Sequence, residues 1–152
     1  MIRVTSAVLL ALALPTSAFA SLGGTVSSVE TDRVHMKAAL VGIQSSGPYT
    51  VHSMQSPTGT TIREYYGRDG VVFGVAWDGE WTPDLRQLFG SYFDQYQRST
   101  TAARRAGRTS HAHVAIDENG LIVRASGHAH SSYGVAYVAS LMPSGITPDV
   151  VR

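Results

Sequence analysis

The sequence predicts a single small α+β domain: a mainly antiparallel sheet of about six strands, packed by one long amphipathic helix and a short N-terminal one. Three observations carry this. Val71, Phe73, Val75 and Trp77 alternate with smaller residues, the period-2 signature of a strand. Gly67-Arg68-Asp69-Gly70 supplies hairpin-turn chemistry just before them. Leu85, Leu88, Phe89, Tyr92, Phe93 and Tyr96 recur at helical spacing, an apolar stripe that must be buried against a sheet.

Taken in order, Met1 to Ala20 reads as a secretory signal. Arg3 is its basic start, Ala7 to Leu14 its short apolar run, and Ala18-Phe19-Ala20 its cleavage site. The run is too short to span a bilayer, and no transmembrane segment is expected in the mature chain. Removing 20 residues from 152 leaves a mature domain of 132 residues, Ser21 to Arg152. Ser27-Ser28-Val29-Glu30 suggests a capping box opening a short helix to about Ala39. Tyr49–Gln55 and Thr60–Tyr66 read as strands joined by Pro57-Thr58-Gly59.

With Val71–Trp77 these strands make a three-strand meander. The register puts Ile62, Tyr66, Val71, Phe73, Val75 and Trp77 on one face, with Glu64 among them opposite Phe73. Thr82 and Pro83 then start a helix running from Pro83 to Gln97. Residues 99–110, STTAARRAGRTS, lack apolar periodicity and read as a flexible Arg/Ser/Thr-rich connector. The sharper reading of Arg98, Arg104, Arg105 and Arg108 is a dock for an anionic envelope polymer. A second hairpin, His111–Ile116 with Leu121–Ala125, and a strand from Tyr133 to Ser140 complete the sheet.

The chain has no cysteine, which excludes thiol catalysis, thiolate metal sites and disulfides. Without Arg3 the mature chain balances 11 basic against 11 acidic residues. That neutrality, with export, argues against nucleic acid as a partner.

Two H-x-H pairs stand out: His111 with His113, and His128 with His130. Spacing of two places each pair on one side of its strand. A four-residue turn at Asp117–Gly120 sets His113 opposite Arg124, so all four histidines share the polar face. Imidazole pairs of this kind chelate divalent transition metals. The plainer reading is a solvated face that happens to use histidine, and no cofactor is expected on it. Glu64 on the apolar face reads either as a buried carboxylate with a perturbed pKa or as an exposed strand end, the latter favoured. Trp81, next to Asp78 and Glu80, offers an aromatic platform for a sugar ring. No nucleophile elbow or phosphate loop is present, so no catalytic residue is assigned.

Several stretches together resemble a known family. They are SLGGTVSSVETDR, YTVHSMQSPTGTTIREYYGRDGVVFGVAWDG, PDLRQLFGSYFDQY and SGHAHSSYGVAYVASLMPSGI. The likeness is to the exported bacterial proteins called the domain of unknown function 2844 family. It implies a periplasmic or secreted protein and brings no activity and no catalytic residues. The expected family pattern Gly-His-Met-Arg stands here as Gly127-His128-Ala129-His130, so the resemblance supports His128 alone. These readings rank as a non-enzymatic envelope module binding a protein or polymer, then a metal-binding protein, then a glycan-binding or glycan-acting one.

Overall fold

The computed structural model describes residues 22–110 and 112–152. The expected signal segment and His111 lie outside the described residues. Seven strands form one antiparallel sheet: β1 (Ala39–Ser46), β2 (Tyr49–Gln55), β3 (Thr61–Gly67), β4 (Val72–Gly79), β5 (His113–Glu118), β6 (Leu121–His128) and β7 (Ser131–Val138). Their order is β1-β2-β3-β4-β7-β6-β5, so two meanders join along the β4–β7 pair. Helix α1 (Val26–His35) precedes the sheet, and α2 (Leu85–Phe89) and α3 (Phe93–Arg105) link the two meanders. No described helix is long and apolar enough to cross a membrane.

The strand beyond the expected six is β1. The N-terminal helix stops at His35, and the chain re-enters as a strand at Ala39. Exposure hides β1 from pattern reading: every residue but Gly42 is solvent-exposed, and a register shift between Leu40 and Gly42 breaks the alternation. The capping box does not form either. Thr25 is the N-cap and makes no side-chain cap bond, while Glu30 turns outward to pair with Arg33.

The helices cover one face of the sheet. Met54, Ile62, Val75, Trp77, Val123, Ala136 and Val138 meet Leu88, Phe89 and Val29 there. Trp77 contacts Phe89 with ring centroids 6.2 Å apart, and Phe89 stands edge-on to Tyr96 at 4.9 Å. The expected helix across Pro83–Gln97 is two helices. Asp84, not Thr82, caps the first by accepting from the Arg86 and Gln87 amides. Gly90 then breaks it at φ 46°, ψ −119°, a backbone region that a side chain strains to occupy. Gly90→Ala is expected to cost about 1–3 kcal/mol, read as a lower urea midpoint at unchanged slope. The second helix runs on to Arg105, so residues 99–105 are helix rather than connector. Ser99, Thr100 and Ala103 are buried in it, and Gln95 pins it to β5 through the Glu118 carbonyl at 2.7 Å.

The β3–β4 hairpin carries a bulge. Tyr65 lies opposite Gly74 but Tyr66 opposite Val72. The extra residue sends Phe73 to the other face, where it packs with Tyr65 and Tyr49 at 6.2 Å each. Glu64 therefore faces Val75 instead of Phe73. On that second face the C-terminal segment covers β3 and β4. Val151 sits over Gly74, and the Tyr65 hydroxyl donates to the Arg152 carbonyl at 2.5 Å and accepts from its amide at 3.1 Å. Burial raises the pKa of Tyr65, partly offset by that bond to Arg152.

Candidate functional site

The C-terminal segment leaves the β4–β7–β6–β5 half of this second face open. Strand register writes two rows across it. The first row reads Arg63, Ala76, Val135, Arg124, Ala115. The second reads Asp78, Tyr133, Ser126, His113. Small and apolar side chains form the floor of the first row, with a guanidinium at each side. Three strand spacings separate Arg63 from Arg124, about 14 Å. Arg152 and Arg108 stand at the rim, and the whole encloses a groove of about 640 Å³. Among the described residues lining it, Asp78 carries the one carboxylate side chain. Arg63 donates to the Arg152 main-chain oxygen at 3.4 Å, and no ion pair with an Asp or Glu side chain holds the groove arginines among the described residues.

The predicted site residues divide among three places. The β5–β6 turn has two residues, Asn119-Gly120, with Glu118 opposite Leu121. This shifts the expected register by two: His113 faces Ser126, bonding its hydroxyl at 2.6 Å, and Arg124 faces Ala115. His113 and His128 come together edge-to-face, centroids 5.9 Å apart. His130 leaves them. It takes φ 60° in the β6–β7 turn and stands against Trp81 at 5.7 Å. The expected common face for His130 is thus undone by the turn itself, which reverses the chain one residue after His128. Among the described residues, no three His, Asp or Glu side chains converge where they could hold a metal ion.

Trp81 is 54% exposed. Together with Glu80, His128 and His130 it lines a second concavity of about 490 Å³. Of the basic cluster at Arg98–Arg108, Arg108 alone reaches the groove; Arg98 and Arg105 are exposed on α3, and Arg104 lines a smaller cavity with Tyr96, Val114 and Ala125. Arg63 and Arg124 were not singled out by sequence reasoning. The available signal was their position: each sits at a polar-face position of a strand whose other face is apolar.

Glu64 is fully buried on the helix side, away from the groove, so the exposed-strand-end reading does not hold. Its neighbour is Asp32 of α1, also fully buried, which accepts from the Gln87 amide. The nearby cation on α2, Arg86, lies over the Phe93 ring at 4.4 Å. Apart from the Asp32 carboxyl, no described group hydrogen-bonds either Glu64 oxygen. Burial drives the Glu64 pKa well above the ordinary carboxyl range, and the adjacent Asp32 charge and hydrogen bond push it further. Asp32 falls three residues after Val29 and four before Met36, on the helix's inward stripe. That spacing was the sequence signal for it.

Comparison with known proteins fits this picture at the level of family. The model of a family described as "Protein of unknown function (DUF2844)" matches residues 18–151, and the chain belongs to that family. No curated protein and no solved structure matches it.

Proposed function

We propose that this family member is an exported, non-enzymatic binding module whose open sheet face takes an anionic polymer of the cell envelope. One observation supports the reading above others: Arg63, Arg124, Arg108 and Arg152 surround one groove whose described lining residues carry a single carboxylate side chain. Guanidinium forks suit carboxylate and phosphate groups, and two of them about 14 Å apart suit a repeating charge better than a small ion. The balanced charge of the mature domain makes this a local feature rather than a general basic surface. Export rests on the signal-like residues 1–20.

The test is calorimetric titration of Ser21–Arg152 with polyphosphate and with polygalacturonate. An Arg63→Ala, Arg124→Ala double variant is expected to bind at least about tenfold more weakly, since each charge-assisted hydrogen bond is worth about 1.5–3 kcal/mol. Affinity should also fall as salt rises. Binding unchanged in the variant would move the interaction elsewhere.

The contact between His113 and His128 favours metal capture as a second reading. Two imidazoles make a partial ligand set. Zinc titration is expected to show binding that weakens in a His113→Ala, His128→Ala variant; equal binding by both proteins would remove this reading.

A further inference from the structure

The groove and the Trp81 concavity meet. Asp78 lines the first and Glu80 the second, two residues apart along the same chain segment. On β6, one strand beyond β7, Ser126 lines the groove while Gly127 and His128 line the concavity. The His113–His128 ring contact bridges the two. A continuous trough therefore runs from Arg63 past Tyr133 to Trp81.

Its composition changes along its length. Arginines dominate the end near Arg63 and Arg124. Two large aromatic side chains remain exposed further on, Tyr133 at 51% and Trp81 at 54%. Large aromatics are ordinarily drawn into the core, and every other tyrosine, phenylalanine and tryptophan of the domain is buried or half-buried. These two are also held in place. Tyr133 springs from the interior strand β7, paired between Asp78 and Ser126, and Trp81 is fixed by edge-on contact with His130 and by the Thr60 hydroxyl on its carbonyl at 2.7 Å. Rigid exposed aromatics recognise flat, partly apolar surfaces at low entropic cost. A sugar ring presents such a face through its C–H groups, whereas a bare polyanion does not.

We infer that the ligand is an acidic polysaccharide: its charged groups meet Arg63 and Arg124, and its sugar faces stack on Tyr133 and Trp81. This rests on the anionic-polymer reading above and narrows it. Asp78 and Glu80, lying beside the two aromatics, are placed to accept hydrogen bonds from sugar hydroxyls. Their presence also disfavours a chain of unbroken charge density.

The chain reports on this directly, because it has two tryptophans and Trp77 is buried. Acrylamide quenching of emission therefore reads mainly Trp81. The experiment compares polygalacturonate, polyphosphate and neutral dextran, with wild type, Trp81→Ala and Tyr133→Ala. Polygalacturonate is expected to shield Trp81 of wild type from acrylamide, and each aromatic variant to lose about tenfold in affinity for it by calorimetric titration. Polyphosphate binding should be unaffected by both variants. If polygalacturonate and polyphosphate bind alike, with Trp81 unshielded and the aromatic variants silent, the polysaccharide inference is overturned and the anionic-polymer reading stands. If neither polymer binds, both are overturned. Because Tyr133 and Trp81 are exposed, the variants should fold normally, which their melting curves will verify.

Discussion

Gly134→Ala is expected to lower the melting temperature by about 10 °C. A methyl group at this position would lie 2.3 Å from the Cζ2 atom of Trp77, well inside van der Waals contact. The indole crosses β7 over the bare glycine backbone. It cannot slide away freely, because Phe89 packs on it and its Nε1 donates to the Ser132 hydroxyl at 3.2 Å. Ser132 is in turn shared with the Thr82 hydroxyl at 2.7 Å, so displacement would disturb the loop entering α2. Overpacking of a core costs about 1–3 kcal/mol and occasionally more. The upper part of that range applies because two polar contacts move with the ring. A Trp77→Phe change in the same chain should recover part of the loss, since phenylalanine vacates the crowded edge. A Gly134→Ala protein melting within about 2 °C of wild type would mean that Trp77 does not cross β7 as described.

The second large effect is a pH dependence built into the core. Glu64 has its pKa raised by burial and then by Asp32. Its folded form thus holds a proton that the unfolded chain releases above the ordinary carboxyl range. Stability from this group is complete below the unfolded pKa, near 4.5. It declines as pH rises toward and through the raised folded value, by up to about 1.4 kcal/mol per pH unit. The titratable groups beside Glu64 are Asp32 from α1, itself bonded by Gln87 of α2, and His52 across on β2. Half-burial lowers the His52 pKa, partly offset by Glu30, and its Nε2 meets the Tyr66 hydroxyl at 3.0 Å. Glu64→Gln keeps the shape and removes the titration. Urea unfolding at pH 5, 7 and 9 should show wild type losing stability relative to the variant across the series, the His52 contribution being common to both. Parallel curves would show that Glu64 does not carry the proton.

Much of this architecture was legible because local pattern and tertiary burial agree. The β3–β4 hairpin, the aromatic stripe from Leu85 to Tyr96 and the β5–β6 hairpin all announce themselves by period. Apart from the exposed β1, three departures come from local backbone events that redirect the chain. One extra residue at Phe73 reverses its face. A positive φ at Gly90 splits a helix whose stripe reads as continuous. Asn119-Gly120 tightens a turn and shifts the histidine register by two.

The groove was hidden for another reason. Arg63 and Arg124 come from different meanders, and nothing in the chain between them signals that β4 and β7 pair to bring them onto one face. The same holds for Asp32 and Glu64, which only the packing of α1 on the sheet unites. Trp81 was legible as an aromatic platform, but its neighbour His130 was assigned to a face that the turn prevents it from reaching.

The most direct test of the anionic groove is the amide chemical-shift map of isotope-labelled Ser21–Arg152 titrated with a short polyanion. The largest changes are expected on Arg63, Ala76, Arg124, Ala115 and Val135, contiguous across four neighbouring strand pairings of one sheet face. Changes centred on Arg98 and Arg105 along the exposed surface of α3 would contradict this and return the basic helix surface as the place where an anionic partner docks.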